Sequence, residues 1–315
     1  MHTSPAVVAL TPNPALDVTL TLPRLKSGCT HRVSQGKYQL AGKGVNVATV
    51  ASEQGYDAVA LGPLSDRDRD YAAARGWLQH LDAAGVQQHW TDTSVAMRST
   101  FAVVETEVGD VSMVNEVGDS HSEETWHGLC AAVKEELSVR RGSVLTISGS
   151  WPPSTPESLL PALIRIAHEA DSTVVVDCGG PQLLSAAKAG ADILKPNLAE
   201  LIEALGGAAA DNPFASAQQL QELGAGAVVI SMGAEGLAYR GRGSFRARTD
   251  RPLRGNPTGA GDALVAALAT GVLDSLDVRE LLERAVRYSA AAVLNPAAGT
   301  IGDRWKEIVP IITEL

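Results

Sequence analysis

Two hydrophobic patterns divide the chain. Short, largely β-branched runs (Ala58 to Leu61, Ser143 to Ser148, Thr173 to Asp177, Ile193 to Leu194 and Ala227 to Ser231) lack polar alternation and predict strands covered on both faces. Between them, Val45 to Gly55, Arg67 to Ala84, Glu123 to Leu137, Pro156 to Ala170, Asn197 to Leu205 and Ala215 to Leu223 carry helical spacing and boundary residues. Such alternation predicts a mainly parallel sheet between helical layers, an α/β fold of three-layer αβα type. Gly259 to Asn295 reads as two packed Ala-rich helices broken near Asp274 to Asp277, and Asp303 to Ile312 as one more helix closing the chain.

Two regions depart from this. Asp17 to Leu22 with His31 to Tyr38, and Thr100 to Glu105 with Val111 to Asn115, alternate apolar and polar residues as half-exposed antiparallel strands do. They predict a small sheet, a lid over a site at the C-terminal ends of the main strands, with an edge extension of the main sheet as the alternative. Gly206 to Asn212 reads as at most a flexible surface loop. With no fixed repeat and no clear linker, residues 1–315 are expected to form one domain, with lid strands from about 17–38 and 97–116 inserted.

Composition narrows the function. A chain of 315 residues that is 45% hydrophobic can bury one large core, yet no apolar run approaches the roughly 18 residues of a membrane span. Met1 to Pro5 lacks the cationic flank and cleavage pattern of a leader. Cys29, Cys130 and Cys178 are odd in number and far apart, which argues against disulfides or a zinc cage and for a reducing cytoplasm. No histidine falls into a metal-binding rhythm such as H-E-x-x-H. With 26 basic against 36 acidic residues, the net charge of −10 disfavours nucleic acid and anionic membranes as partners. A small anionic substrate would need cations gathered locally against that field.

The chemistry concentrates in Gly255-Asn256-Pro257-Thr258-Gly259-Ala260-Gly261-Asp262, a glycine-rich turn running into an amphipathic helix. Uncovered amides at a helix N-terminus favour an anion, so Gly259, Ala260 and Gly261 form a candidate phosphate cradle. Asp262, in the first helical turn, is placed to take the proton of an attacking hydroxyl, although acidic residues favour first turns for dipole reasons alone. The chain contains no Walker A sequence, no G-x-G-x-x-G and no G-x-S-x-G elbow, which counts against a dinucleotide-dependent oxidoreductase and an α/β-hydrolase.

The Gly259-Ala260-Gly261-Asp262 signature resembles the C-terminal motif of the ribokinase-like, or PfkB, carbohydrate kinases. Further pieces follow in order: Thr11-Pro12-Asn13-Pro14-Ala15-Leu16-Asp17, Ala41-Gly42-Lys43-Gly44-Val45-Asn46-Val47-Ala48, Lys195-Pro196-Asn197-Leu198-Ala199-Glu200 and Ile230-Ser231-Met232-Gly233-Ala234-Glu235-Gly236. The first two are similar to the opening and substrate loop of that family's phosphosugar branch. The resemblance implies a ribokinase-like fold with a β-strand lid and transfer of the γ-phosphoryl group of ATP to a hexose phosphate. Fructose 1-phosphate is the first choice and tagatose 6-phosphate or fructose 6-phosphate the alternatives; an inactive sugar-phosphate-binding regulator is the alternative of a different class.

In that frame Asp17, Gly42 and Asn46 orient the sugar, the carboxylate having acceptors for two hydroxyls. Lys43 and Arg98, with Arg32 as a third candidate, are expected to hold the substrate's own phosphate. Asn197 and Glu200, spaced i and i+3, are expected to hold Mg²⁺ through water, a simple capping pair being the alternative. Lys195, Thr258, Ser231, Gly233, Gly236 and Asn295 are implied on the nucleotide side. Ala41 departs from the family's first glycine, which matters if that position needs positive φ. A homodimer through the exposed lid is expected.

Overall fold

The structure, a computed structural model, describes residues 4–207, 212–295 and 299–315, so most of the Gly206 to Asn212 segment and the start of the chain lie outside the described residues. The chain opens with β1 (Val7–Leu10), leaves for β2 (Ala15–Leu22) and β3 (Lys37–Ala41), and returns through α1 (Lys43–Glu53) to β4 (Ala58–Pro63). Next come α2 (Asp66–Ala74), α3 (Gln79–Ala84), β5 (Gln87–Thr91), β6 (Arg98–Glu105) and β7 (Asp110–Asn115). An alternating stretch follows: α4 (Glu123–Val139), β8 (Val144–Ser148), α5 (Leu159–Glu169), β9 (Thr173–Asp177), α6 (Pro181–Lys188) and β10 (Ile193–Leu194). Then come α7 (Leu198–Leu205), α8 (Pro213–Glu222), β11 (Ala227–Ser231), β12 (Leu237–Gly241) and β13 (Gly243–Thr249). The chain ends with α9 (Ala260–Leu273), α10 (Val278–Leu294) and β14 (Pro310–Glu314).

Ten strands form one sheet in the order β14-β13-β12-β11-β10-β9-β8-β1-β4-β5. It is parallel from β11 through β5 and antiparallel across β11, β12, β13 and β14. Side chains alternate between two helical layers: Val7 and Ala9 pack with Val45, Leu264 and Val286, whereas Val8 and Leu10 pack with Leu129, Leu163 and Leu220. This is the expected three-layer αβα architecture. Helix α9 is apolar all round and buried from Ala263 to Ala269, so its N-terminus is held rigidly.

The lid is a separate sheet in the order β3-β2-β6-β7. Its centre corrects the antiparallel expectation, because β2 and β6 run parallel from Ala15↔Arg98 to Leu22↔Glu105. Both strands continue from parallel strands of the main sheet, β1 and β5, and so enter the lid in the same sense. Strand β3 also starts later than His31, at Lys37, after a polar stretch ending at Gly36, where a Cβ would stand 2.9 Å from Leu20.

The expected helix from Arg67 to Ala84 is broken into α2 and α3, with Gly76 at φ 72° between them. The helix expected over Asp303 to Ile312 is instead one 3-10 turn, Arg304–Glu307, followed by β14. Pro310 and the β-branched Ile311, Ile312 and Thr313 favour extension, and β13 offers an edge to pair with. Ala41 lies in β3, fully buried opposite Ala15 and without positive φ, so its Cβ is accommodated.

Candidate active site

A cavity of about 1130 Å³ lies at the C-terminal ends of the parallel strands, lined by Thr11, Gly149, Asp177 and Ser231 on that side and by Asp17 and Thr100 of the lid on the other. This is where open α/β sheets bind ligands. The local sequence explains how α1 reaches it: a Cβ on Gly44 would stand 2.5 Å from Thr11 Oγ1 and 2.7 Å from the Leu10 carbonyl oxygen. Gly44 therefore serves helix packing, and Thr11 Oγ1 accepts the Val45 amide at 3.0 Å. Gly42, at φ 141°, caps α1 and lines the cavity.

At the opposite wall Gly259 is the N-cap of α9 in a left-handed conformation, φ 83°, with no side-chain cap. The Thr258 amide donates to Asn256 Oδ1 at 3.0 Å and the Ala260 amide to the Pro257 carbonyl at 3.1 Å. Ala260 thus spends its donor within the turn, which places the cradle expected from Gly259 to Gly261 chiefly at its two glycines. Asp262 is 6% exposed. Burial pushes its carboxyl up to about 6, against the opposing pull of Lys43 and of the Asn46 hydrogen bond; Asp177 raises it further and Lys195 lowers it. Asn46 Nδ2 donates to Asp262 Oδ2 at 2.7 Å.

On the lid side, Asp17 is the third residue of β2 and accepts a hydrogen bond from Thr100 Oγ1. Burial raises its carboxyl above the usual range, opposed by that bond and by the charge of Arg98. Arg98 Nε donates to the Asn13 carbonyl at 3.1 Å and a terminal nitrogen to the Glu116 carbonyl at 2.9 Å. Burial lowers the pKa of Arg98 and the charges of Asp17 and Glu116 raise it. Arg32 is exposed and lines no part of this cavity.

Lys43 has other neighbours. Its ammonium lies 3.4 Å from Asp177 Oδ2 and 3.6 Å from Glu200 Oε1. Burial pulls its pKa down, but Asp177, Asp262 and Glu200 together raise it above the usual value. Lys195 pairs with Asp177 Oδ1 at 3.1 Å. Asn197 and Glu200 form a capping box at the start of α7: Asn197 Oδ1 accepts the Glu200 amide and Glu200 Oε2 accepts the Asn197 amide, each at 2.9 Å. The capping alternative is thus realised, and Glu200 Oε1 remains free of the box.

Ser231, Gly233, Gly236 and Thr258, expected on the nucleotide side, line the cavity, as do the apolar Leu253, Val286 and Val293. Asn295 is the C-cap of α10 and is not in the lining. Sequence reasoning passed over Asp177, Asn13 and Trp151, which also line the cavity. Asn13 lies within the Thr11 to Asp17 motif, and Asp177 closes the apolar run Val174-Val175-Val176, but neither position alone indicates a role.

An uncapped helix N-terminus with a buried carboxylate in its first turn, facing a lid that carries Asp17 and Arg98, is an arrangement suited to phosphoryl transfer. Residues 6–304 match the pfkB family carbohydrate kinases, and the chain belongs to that family. It is 32% identical over 291 residues to the 1-phosphofructokinase of Xanthomonas campestris, covering 90% of this chain and 88% of that protein. It is 28% identical over 284 residues to the 1-phosphofructokinase of Rhodobacter capsulatus, covering 89% and 88%. The crystal structure of phosphofructokinase-2 from Escherichia coli in complex with potassium superposes with a TM-score of 0.87 at 24% identity over 98% of both chains, a likeness of fold.

Proposed function

We propose that the chain is a 1-phosphofructokinase, transferring the γ-phosphoryl group of ATP to fructose 1-phosphate to give fructose 1,6-bisphosphate. The observation that carries this reading is the buried Asp262, bonded to Asn46 and set beside the uncapped start of α9 in a cavity that extends to Asp17 and Arg98. The names of the two bacterial relatives support the choice of sugar.

Asp17 and Asn46 orient the sugar hydroxyls, and Arg98 holds the phosphate already on the sugar. The attacking hydroxyl oxygen forms a bond to the γ-phosphorus while the bond from that phosphorus to the oxygen of the β-phosphate breaks, its electron pair leaving with ADP. The hydroxyl proton passes to Asp262, and the amides at Gly259 and Gly261 stabilise the charge of the transferring group. Lid closure excludes the water that would otherwise hydrolyse ATP.

Mg²⁺ suits the oxygen donors at the start of α7, where Asn197 lines the cavity and Glu200 lies just behind it. Glu200 Oε1, outside the capping box and 3.6 Å from Lys43 Nζ, could reach a cation through water, as could the neighbouring Asn197, whose Oδ1 also accepts the Glu200 amide. When bound, the cation would neutralise charge on the triphosphate. Among the described residues no cluster of three or more His, Cys, Asp or Glu could form an all-protein cage, in keeping with a cation carried mainly by the nucleotide.

A homodimer through the lid is the reading supported by Val114 of β7, which is 62% exposed; Met113 and Val117, also exposed, line the cavity. Three free cysteines fit a cytoplasmic setting, and among the described residues no helix is long and apolar enough to cross a membrane. An ADP-release assay over free and phosphorylated hexoses tests the function. Turnover is expected with fructose 1-phosphate, and preference for an unphosphorylated sugar would overturn the assignment of Arg98.

A further inference from the structure

Asp177 closes β9 with a fully buried side chain, and its two oxygens face different cations. Oδ1 lies 3.1 Å from Lys195 Nζ and Oδ2 lies 3.4 Å from Lys43 Nζ. A buried carboxylate with one partner removed is destabilised by several kcal/mol, so this one imposes a position on both ammonium groups. Lys195 follows β10, and its Nζ stands 3.6 Å from where a Cβ on Gly261 would lie, beside the glycine turn. Lys43 comes from α1 and keeps 40% of its side chain exposed, leaving its ammonium able to donate into the cavity.

The neighbours of the two basic residues expected on the substrate's phosphate separate them. Arg98 is bonded to the carbonyls of Asn13 and Glu116, on the lid side. Lys43 is paired with Asp177 and Glu200, neither of them a lid residue. We propose that Asp177 is a positioning residue that holds Lys43 and Lys195 as a pair of cations at the point of transfer, where Lys43 acts on the phosphoryl group in flight and not on the phosphate the sugar already carries. As the hydroxyl oxygen bonds to the γ-phosphorus, the bond to ADP breaks and the proton goes to Asp262. Negative charge then lies on the transferring oxygens and the departing β-phosphate, between these two ammonium groups. The proposal rests on the transfer reading above and reassigns one residue within it.

The test is a double-mutant cycle of Asp177→Asn and Lys43→Gln, run on whichever phosphosugar the unaltered protein turns over. Lys43→Gln is expected to lower kcat about 100-fold while the KM for the phosphosugar moves less than about threefold. Asp177→Asn is expected to do the same, and the double variant to lose no more than about threefold beyond the worse single, since one residue acts through the other. Where Asp177→Asn fails to fold, Lys43→Gln alone still decides through its split between kcat and KM. A Lys43→Gln variant with kcat preserved and the phosphosugar KM raised tenfold or more would overturn the proposal, as would additive losses in the cycle. An unaltered protein that turns over no phosphosugar fails at the earlier step, the transfer reading itself.

Discussion

Asn46 in α1 and Asp262 in α9 are 216 positions apart in sequence, yet the Asn46 side-chain amide donates to Asp262 Oδ2 at 2.7 Å. The contact joins the first turn of α1 to the first turn of α9, both of which border the cavity. It fixes which way the buried carboxylate faces and favours its charged form.

Asp262→Asn should bind nucleotide normally and lose turnover by about 10³-fold, within the range for a missing general base. Equilibrium nucleotide binding measured beside initial rates checks this. Near-normal turnover would remove Asp262 from its role.

The acid limb of kcat/KM should report Asp262 in the free protein. Since burial lifts its carboxyl to about 6, activity should fall as pH drops through about 6. Asn46→Ala removes a bond that lowers this pKa, so the limb should move to higher pH. A limb unmoved in that variant would show that another group sets it.

Stability carries the opposite sign. A folded carboxyl at about 6 against an ordinary value of 3.8 keeps its proton while the unfolded chain has lost one, so this group's contribution to stability falls as pH rises through that window. The loss is on the order of 3 kcal/mol above the window. Asp262→Asn should therefore melt a few degrees higher than the unaltered protein at pH 8, and by less at pH 4. Thermal melts at both pH values measure it.

Arg98→Gln should raise the phosphosugar KM about 10–100-fold while leaving the ATP KM within about twofold, the scale of one charge-assisted phosphate contact. Equal losses for both substrates would instead indicate that the lid had collapsed.

How far the sequence reached depends on how local the determinant is. The turn from Gly255 to Asp262 is legible because the proposed cradle and the proposed base lie within one contiguous segment. The alternating patterns at Asp17 to Leu22 and Thr100 to Glu105 identify strands but not direction, and the parallel pairing Ala15↔Arg98 is set by the distant exits of β1 and β5. Asp177 is a lone acidic residue whose importance appears only when Lys43 and Lys195, from two other elements, converge on it. Leu253, Val286 and Val293 read as ordinary apolar residues until the structure shows them lining the cavity. Asn197 and Glu200 show the converse, since their spacing suits both a cap and a cation and the backbone uses the first.

The most direct measurement follows the label from γ-labelled ATP incubated with fructose 1-phosphate, using the unaltered protein and Asp262→Asn. The account predicts that label appears in fructose 1,6-bisphosphate with the unaltered protein and stays on ATP with the variant. Label recovered only as inorganic phosphate, or transferred equally well by Asp262→Asn, would contradict it.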